Sequence, residues 1–199
     1  MKRLIVALLL IVVPSFVWAQ KIGVIAFEDA ANAGPELGEQ VAKFIRSELL
    51  KYKKYIPKFI QYKAEEGEST SIDFEKAVEL GKKNGVDYVV IGTILEAEVT
   101  KSSAGAGNIT IMGQPVGSSL RTVTATLTIQ GDLISVSTGK LVESSRATGS
   151  KTDRSVGADV STEWGTLNLG SEGSGNSPNA QALREAVEEL VKQLSKGIK

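Results

Sequence analysis

The sequence predicts a mixed α/β sheet with helices packed on it, interrupted by two long insertions. Three observations predict it. Strand and helix patterns alternate through the first half, the order that builds a sheet covered by helices. Arg121 to Gln130 alternates apolar and polar residues at a period of two. Two Gly/Ser-rich stretches, at about 101–120 and 149–176, interrupt the second half and fit neither pattern.

The elements follow in order. Lys21 to Phe27 reads as a buried strand through Ile22, Val24, Ile25 and Phe27. Glu28 to Pro35 is a small-residue loop. Leu37, Val41, Ile45 and Leu49 recur at helical spacing, with Glu36 and Glu39 suited to the positive N-terminal end. Tyr55 to Tyr62 is a second strand, and Pro57 suggests an edge or an irregular start. Ala64 to Ser71 is a polar loop. A helix over 72–84 turns Phe74, Ala77, Val78 and Leu80 inward and ends at Asn84-Gly85. Tyr88 to Gly92 is a strongly apolar, central strand. In Arg121 to Gln130, Val123, Ala125, Leu127 and Ile129 face the core and the intervening threonines face out. Val136 to Lys140 turns the chain, and Leu141 to Thr148 returns antiparallel. Ser177-Pro178 opens a last helix, whose stripe is Leu183, Ala186, Val187, Leu190, Val191 and Leu194.

The leader reads as a secretory signal. Met1-Lys2-Arg3 is positive, Leu4 to Val13 is apolar, and Val17-Trp18-Ala19 supplies a cleavage site after Ala19. Residues 20–199 then form one domain. Of 23 Lys+Arg, Lys2 and Arg3 go with the leader, leaving 21 against 23 Asp+Glu. A nearly neutral, exported chain is not expected to bind nucleic acid.

The chain has no His and no Cys. A Ser-His-Asp triad, a Cys nucleophile and a disulfide are therefore excluded, and zinc, haem and iron–sulfur sites lose their usual ligands. No cofactor and no enzymatic activity are expected. Glu96 and Glu98 have strand spacing and are the one carboxylate pair suited to acid–base work; a solvated strand face explains them more simply. Lys51 to Lys58 mixes charge with aromatics, which fits lysines at a helix C-terminus followed by a strand. Gly105-Ala106-Gly107 lacks the context of a phosphate cradle.

The segments Ile22-Gly-Val-Ile-Ala-Phe27, Gly85-Val-Asp-Tyr-Val-Val-Ile-Gly-Thr93 and Val136-Ser-Thr-Gly-Lys-Leu-Val142 occur in that order, flanked by the two insertions. In order and spacing the chain resembles the curli-secretion channel (CsgG) family from Lys21 to the last helix. The resemblance implies a periplasmic α/β domain whose hairpins join, copy by copy, into one outer-membrane barrel. It implies that Glu28, Asp29 and Asn32, in the loop after the first strand, face the lumen. The partners it implies are further copies of the chain in a ring, outer-membrane lipid, and exported polypeptide. Similar periplasmic proteins without membrane hairpins instead bind a cell-wall synthase or a flagellar component, which keeps a periplasmic adaptor as the alternative. The family's typical channel is a lipoprotein; Ala19-Gln20 stands here in place of its cysteine. Outer-membrane placement would then rest on the hairpins alone.

The insertions carry the residue-level expectations. A barrel hairpin needs roughly 20–25 residues. In the first, Ile109 and Ile111 alternate with polar neighbours, and Met112 to Pro115 is the tip. In the second, Val156, Ala158, Val160 and Trp164 would meet lipid, while Asp159 and Glu163 would meet water. Trp164 would lie at the membrane interface. Leu167 and Leu169 would face lipid on the return strand. Four strands from one chain cannot close a barrel, so insertion demands a ring of copies. Hairpins that stay in water, or pack on a partner, are the alternative.

Overall fold

β1 (Gln20–Ile25) is apolar from Ile22 to Ile25, where both of its faces are covered and all four residues are buried. The computed structural model describes residues 19–34, 36–62, 72–105, 109–111, 114–116, 119–156, 164 and 177–198. Beyond β1, a two-residue β2 (Glu28–Asp29) precedes α1 (Leu37–Leu50), β3 (Tyr55–Ile60), α2 (Phe74–Asn84) and β4 (Tyr88–Gly105). Then come the short β5 (Ile109–Ile111) and β6 (Gln114–Val116), the long β7 (Ser119–Ser135) and β8 (Leu141–Val156), and α3 (Pro178–Leu194).

The main sheet runs β3-β1-β4-β7-β8, with β2 added beside β4. β3, β1, β2 and β4 are parallel, while β7 and β8 join antiparallel. The sheet is mixed and does not close among the described residues. β3 lies at the edge, where Pro57 removes no donor that a second neighbour would need.

The crossover from β1 to β3 steps one way across the sheet, and the one from β3 to β4 steps back. Right-handed connections therefore place α1 and α2 on opposite faces. Ile22, Val24, Val90, Ile94, Leu127 and Ile129 pack under α1 and α3. Ile25, Ile60, Val89, Ile91 and Ile134 pack under α2.

The helices form where the sequence places them. Leu37, Val41, Ile45 and Leu49 are buried in α1, and all six residues of the predicted α3 stripe are buried. Ser177 accepts a hydrogen bond from the Ala180 N–H at 3.2 Å and caps α3. Gly85 closes α2 at φ 63°, a left-handed conformation that glycine adopts without strain.

Four expectations change. The loop from Glu28 contains β2, which needs β4 as its partner. β4, β7 and β8 run far beyond their predicted bounds, because backbone pairing with neighbouring strands continues where apolar alternation has ended. Gln114 and Pro115 belong to β6 and not to the predicted tip, whose Met112 and Gly113 lie outside the described residues. Phe74, expected to face inward, is 43% exposed because it is the first residue of α2, directly after the Asp73 cap. The leader, residues 1–18, and the loop at 63–71 lie outside the described residues. No helix among the described residues is long and apolar enough to cross a membrane.

Candidate functional site

The first candidate site is the ribbon that carries both insertions. β4 and β7 pair without interruption from Glu96–Thr128 to Gly105–Ser119, and β8 stays paired to β7 as far as Val156–Leu120. All three strands leave the helical layer at the same end of the sheet. α3 crosses β8 at Gly149, where a Cβ would meet the Ala182 carbonyl oxygen and the Ala186 backbone nitrogen. Only glycine allows the helix to lie that close. Past Gly149 the chain turns fully polar and exposed, from Ser150 through Arg154.

One face of the ribbon is a ladder of hydroxyls. Thr124 and Thr152 approach to 2.9 Å, Thr126 and Ser150 to 3.3 Å, and Thr128 and Thr148 to 3.0 Å. Thr128 also donates to a Glu96 carboxylate oxygen at 2.9 Å. Register places Glu98 beside Thr126 on that same face. The two glutamates therefore share one side of a strand, as their spacing predicts, within a hydroxyl surface that is open at Glu98 but buried at Thr128, a residue expected to face out. Sequence reasoning recognised the outward threonines of β7 but not their partners on β8, which only register reveals.

The predicted lumenal loop is built around Asp29. Its Oδ2 accepts the Gly34 N–H at 2.9 Å, while its Oδ1 is buried without a partner. Asn32 sits at φ 55°, and its backbone N–H reaches the Asp29 carbonyl at 3.4 Å. Glu28 and Asp29 line a hollow of about 680 Å³ at the carboxyl end of β1, beside the early part of β4, with Phe27, Tyr62, Asp73 and Thr93. Among the described residues no three acidic side chains form a metal-holding group.

Trp164 departs from expectation. It is 4% exposed and belongs to the main core with α1 and α3. Its indole N–H is buried without a partner. In the isolated chain the ring thus faces the protein interior and not lipid, since the helical layer offers it apolar neighbours. The backbone of Ile109 and Ile111 lies in β5, and Val156 is the last residue of β8. Ala158, Asp159, Val160, Glu163, Leu167 and Leu169 lie outside the described residues.

A family model described as the curli production assembly/transport component CsgG matches residues 19–199. The chain belongs to the CsgG family. No curated protein matches it in sequence. Among solved structures, protein CT253 of Chlamydia trachomatis shares 13% identity at a TM-score of 0.54, covering 88% of this chain and 95% of that one. A PelC dodecamer from Paraburkholderia phytofirmans shares 13% identity at a TM-score of 0.49, covering 91% of each chain. The LpoB C-terminal domain of Escherichia coli shares 16% identity at 0.40, covering 65% of this chain and 82% of its own. The likeness to CT253 supports the fold, and the CsgG family match spans the helical layer and both insertions.

Proposed function

We propose that this CsgG-family chain is a non-enzymatic subunit of an oligomeric secretion channel in the bacterial envelope, conducting unfolded polypeptide. The ribbon carries this reading: three strands leave one end of a helix-covered scaffold, and both insertions begin there. From Glu96 to Gly105 the outgoing arm of β4 stays paired with β7 over the roughly 9–11 residues that a membrane strand requires. β8 has an unclosed outer edge among the described residues, and an open edge is not tolerated in hydrocarbon. A ring of copies removes it. Leader cleavage after Ala19 would deliver the chain to the periplasm, and the hairpins would carry it into the outer membrane. Passive conduction needs no cofactor and no catalytic residue.

The test is fractionation with a carbonate wash, followed by unheated gel electrophoresis. A wash-resistant, high-mass outer-membrane species that conducts ions in planar bilayers is the expected result. A carbonate-extractable monomer would overturn the channel.

One observation favours a second reading. Trp164 ties the second insertion to the core, and the exposed run from Ser150 to Arg154 is suited to water. A periplasmic adaptor that binds another envelope protein would keep this arrangement permanently.

A further inference from the structure

The end of the molecule opposite the ribbon is basic. All three helices finish there, with Lys51 after α1, Lys82 and Lys83 in the last turn of α2, and Lys192 and Lys196 at the close of α3. Register brings the other elements to the same place. Lys54 accepts from the Gln20 N–H, Lys21 from the Asp87 N–H, and Lys140 from the Ser135 N–H, each through its backbone carbonyl. Tyr55 Oη, at the start of β3, reaches the Ser195 carbonyl at 3.4 Å.

Some of these charges are engaged. Lys51 bridges Glu48 and Glu188, and the Glu48 hydrogen bond holds its amine above the ordinary lysine value. Lys192 bridges Glu189, whose carboxyl is held low by Gln193 and then Lys192. Lys21, Lys53, Lys54, Lys82, Lys83, Lys140 and Lys196 are exposed, and no described carboxylate forms a salt bridge with their amines, although Asp87 accepts the Lys21 backbone N–H and Glu189 feels the Lys196 charge. Three helix C-termini at about −0.5 each, together with Asp87 and Glu143, offset only part of the seven lysines. The end also holds a hollow of about 710 Å³ lined by Lys21 and Lys82 together with Asp87, Tyr88, Ser135 and Ser137, the Asp87 carboxylate accepting the Lys21 backbone N–H at 2.8 Å.

We propose that this basic end is a docking surface for an acidic polypeptide segment, with Lys21 and Lys82, which line the hollow, among the lysines that hold it. Concavity favours a polypeptide over a bilayer, because a hollow of this size takes a peptide segment, whereas a membrane surface is flat. Leu50, Ile56 and Leu141, all strongly exposed, lie toward the same end and offer apolar contact beside the lysines. Under the channel reading this end is the periplasmic mouth, so a ring of such surfaces would steer acidic stretches of cargo inward. Only that placement rests on the channel reading; the binding itself is measured on the unassembled chain.

The experiment is fluorescence anisotropy of a short oligo-glutamate peptide with the full mature chain, against an oligo-glutamine peptide of equal length. The glutamate peptide is expected to bind and to weaken as salt is raised. A Lys21→Glu, Lys82→Glu double variant is expected to lose about tenfold in affinity. Lys21→Gln with Lys82→Gln, which adds no like charge to the α2 C-terminus, is expected to lose less. Lys151→Glu, on the ribbon, should change nothing. Equal binding of both peptides, no binding, or an equal loss in Lys151→Glu overturns the proposal. So does sedimentation of the chain with phosphatidylglycerol–phosphatidylcholine vesicles that the double variant abolishes, which would assign the lysines to lipid.

Discussion

Trp164 shows how one side chain sets opposing effects against each other. An indole buries about 150–250 Å², and at about 25 cal/mol per Å² that stabilises by about 4–6 kcal/mol. Its unpartnered N–H costs about 1–3 kcal/mol. Trp164→Phe keeps an aromatic ring in the core and removes the stranded donor, so its stability should lie within about 1 kcal/mol of the parent. Trp164→Ala removes the ring and should cost about 3–5 kcal/mol. Urea denaturation of both variants checks the pair. A Phe variant as unstable as the Ala variant would mean that the N–H is bonded after all. The destination of Trp164 was not legible in the sequence. Period-two spacing predicts an outward face, and only the apolar space between ribbon and helices explains the inward one.

At the scale of elements, α3 and β8 are held at a spacing set by Gly149. A branched side chain there would strike helix backbone, which cannot turn aside as a flexible side chain can. Gly149→Val should therefore cost about 3 kcal/mol, read as a lowered thermal midpoint. If the midpoint is unchanged, the helix does not lie where it is described. The elements that were legible share a local cause. β7 showed its period of two, and Val123, Ala125, Leu127 and Ile129 are buried. α1 and α3 showed their stripes, α3 its Ser177-Pro178 start, and β3 its edge proline. The missed features depend on partners distant in sequence. β2 exists only because β4 lies beside it. The long ends of β4, β7 and β8 are rich in Thr, Ser and Gly, and their stability comes from cross-strand pairs that no local pattern contains. The Asp73 cap, whose carboxylate accepts the Lys76 N–H at 2.8 Å, was available locally but is masked by the polar run before it.

For the whole molecule, the two functional readings differ in where Trp164 finishes. The chain has two tryptophans, Trp18 and Trp164, and cleavage after Ala19 would leave Trp164 alone to report its surroundings. In the unassembled chain it is buried in the core, so its emission should be blue-shifted and insensitive to aqueous quenchers. A channel needs the second insertion to pair with neighbouring copies, which requires the ring to leave the helical layer for the membrane interface. Burial gain and unpartnered donor partly offset each other, so this exchange has a modest cost that the closing of strand edges can outweigh. An adaptor needs no such exchange. Reconstitution into vesicles of brominated lipid separates the two, with Trp18→Phe as the background so that uncleaved precursor contributes nothing. Strong quenching of Trp164 in the assembled ring is the expected outcome for a channel. Unquenched, still blue-shifted emission from a membrane-bound ring would show that the second insertion stays docked, leaving β4 and β7 alone to span. That result would reject a four-strand contribution from each subunit.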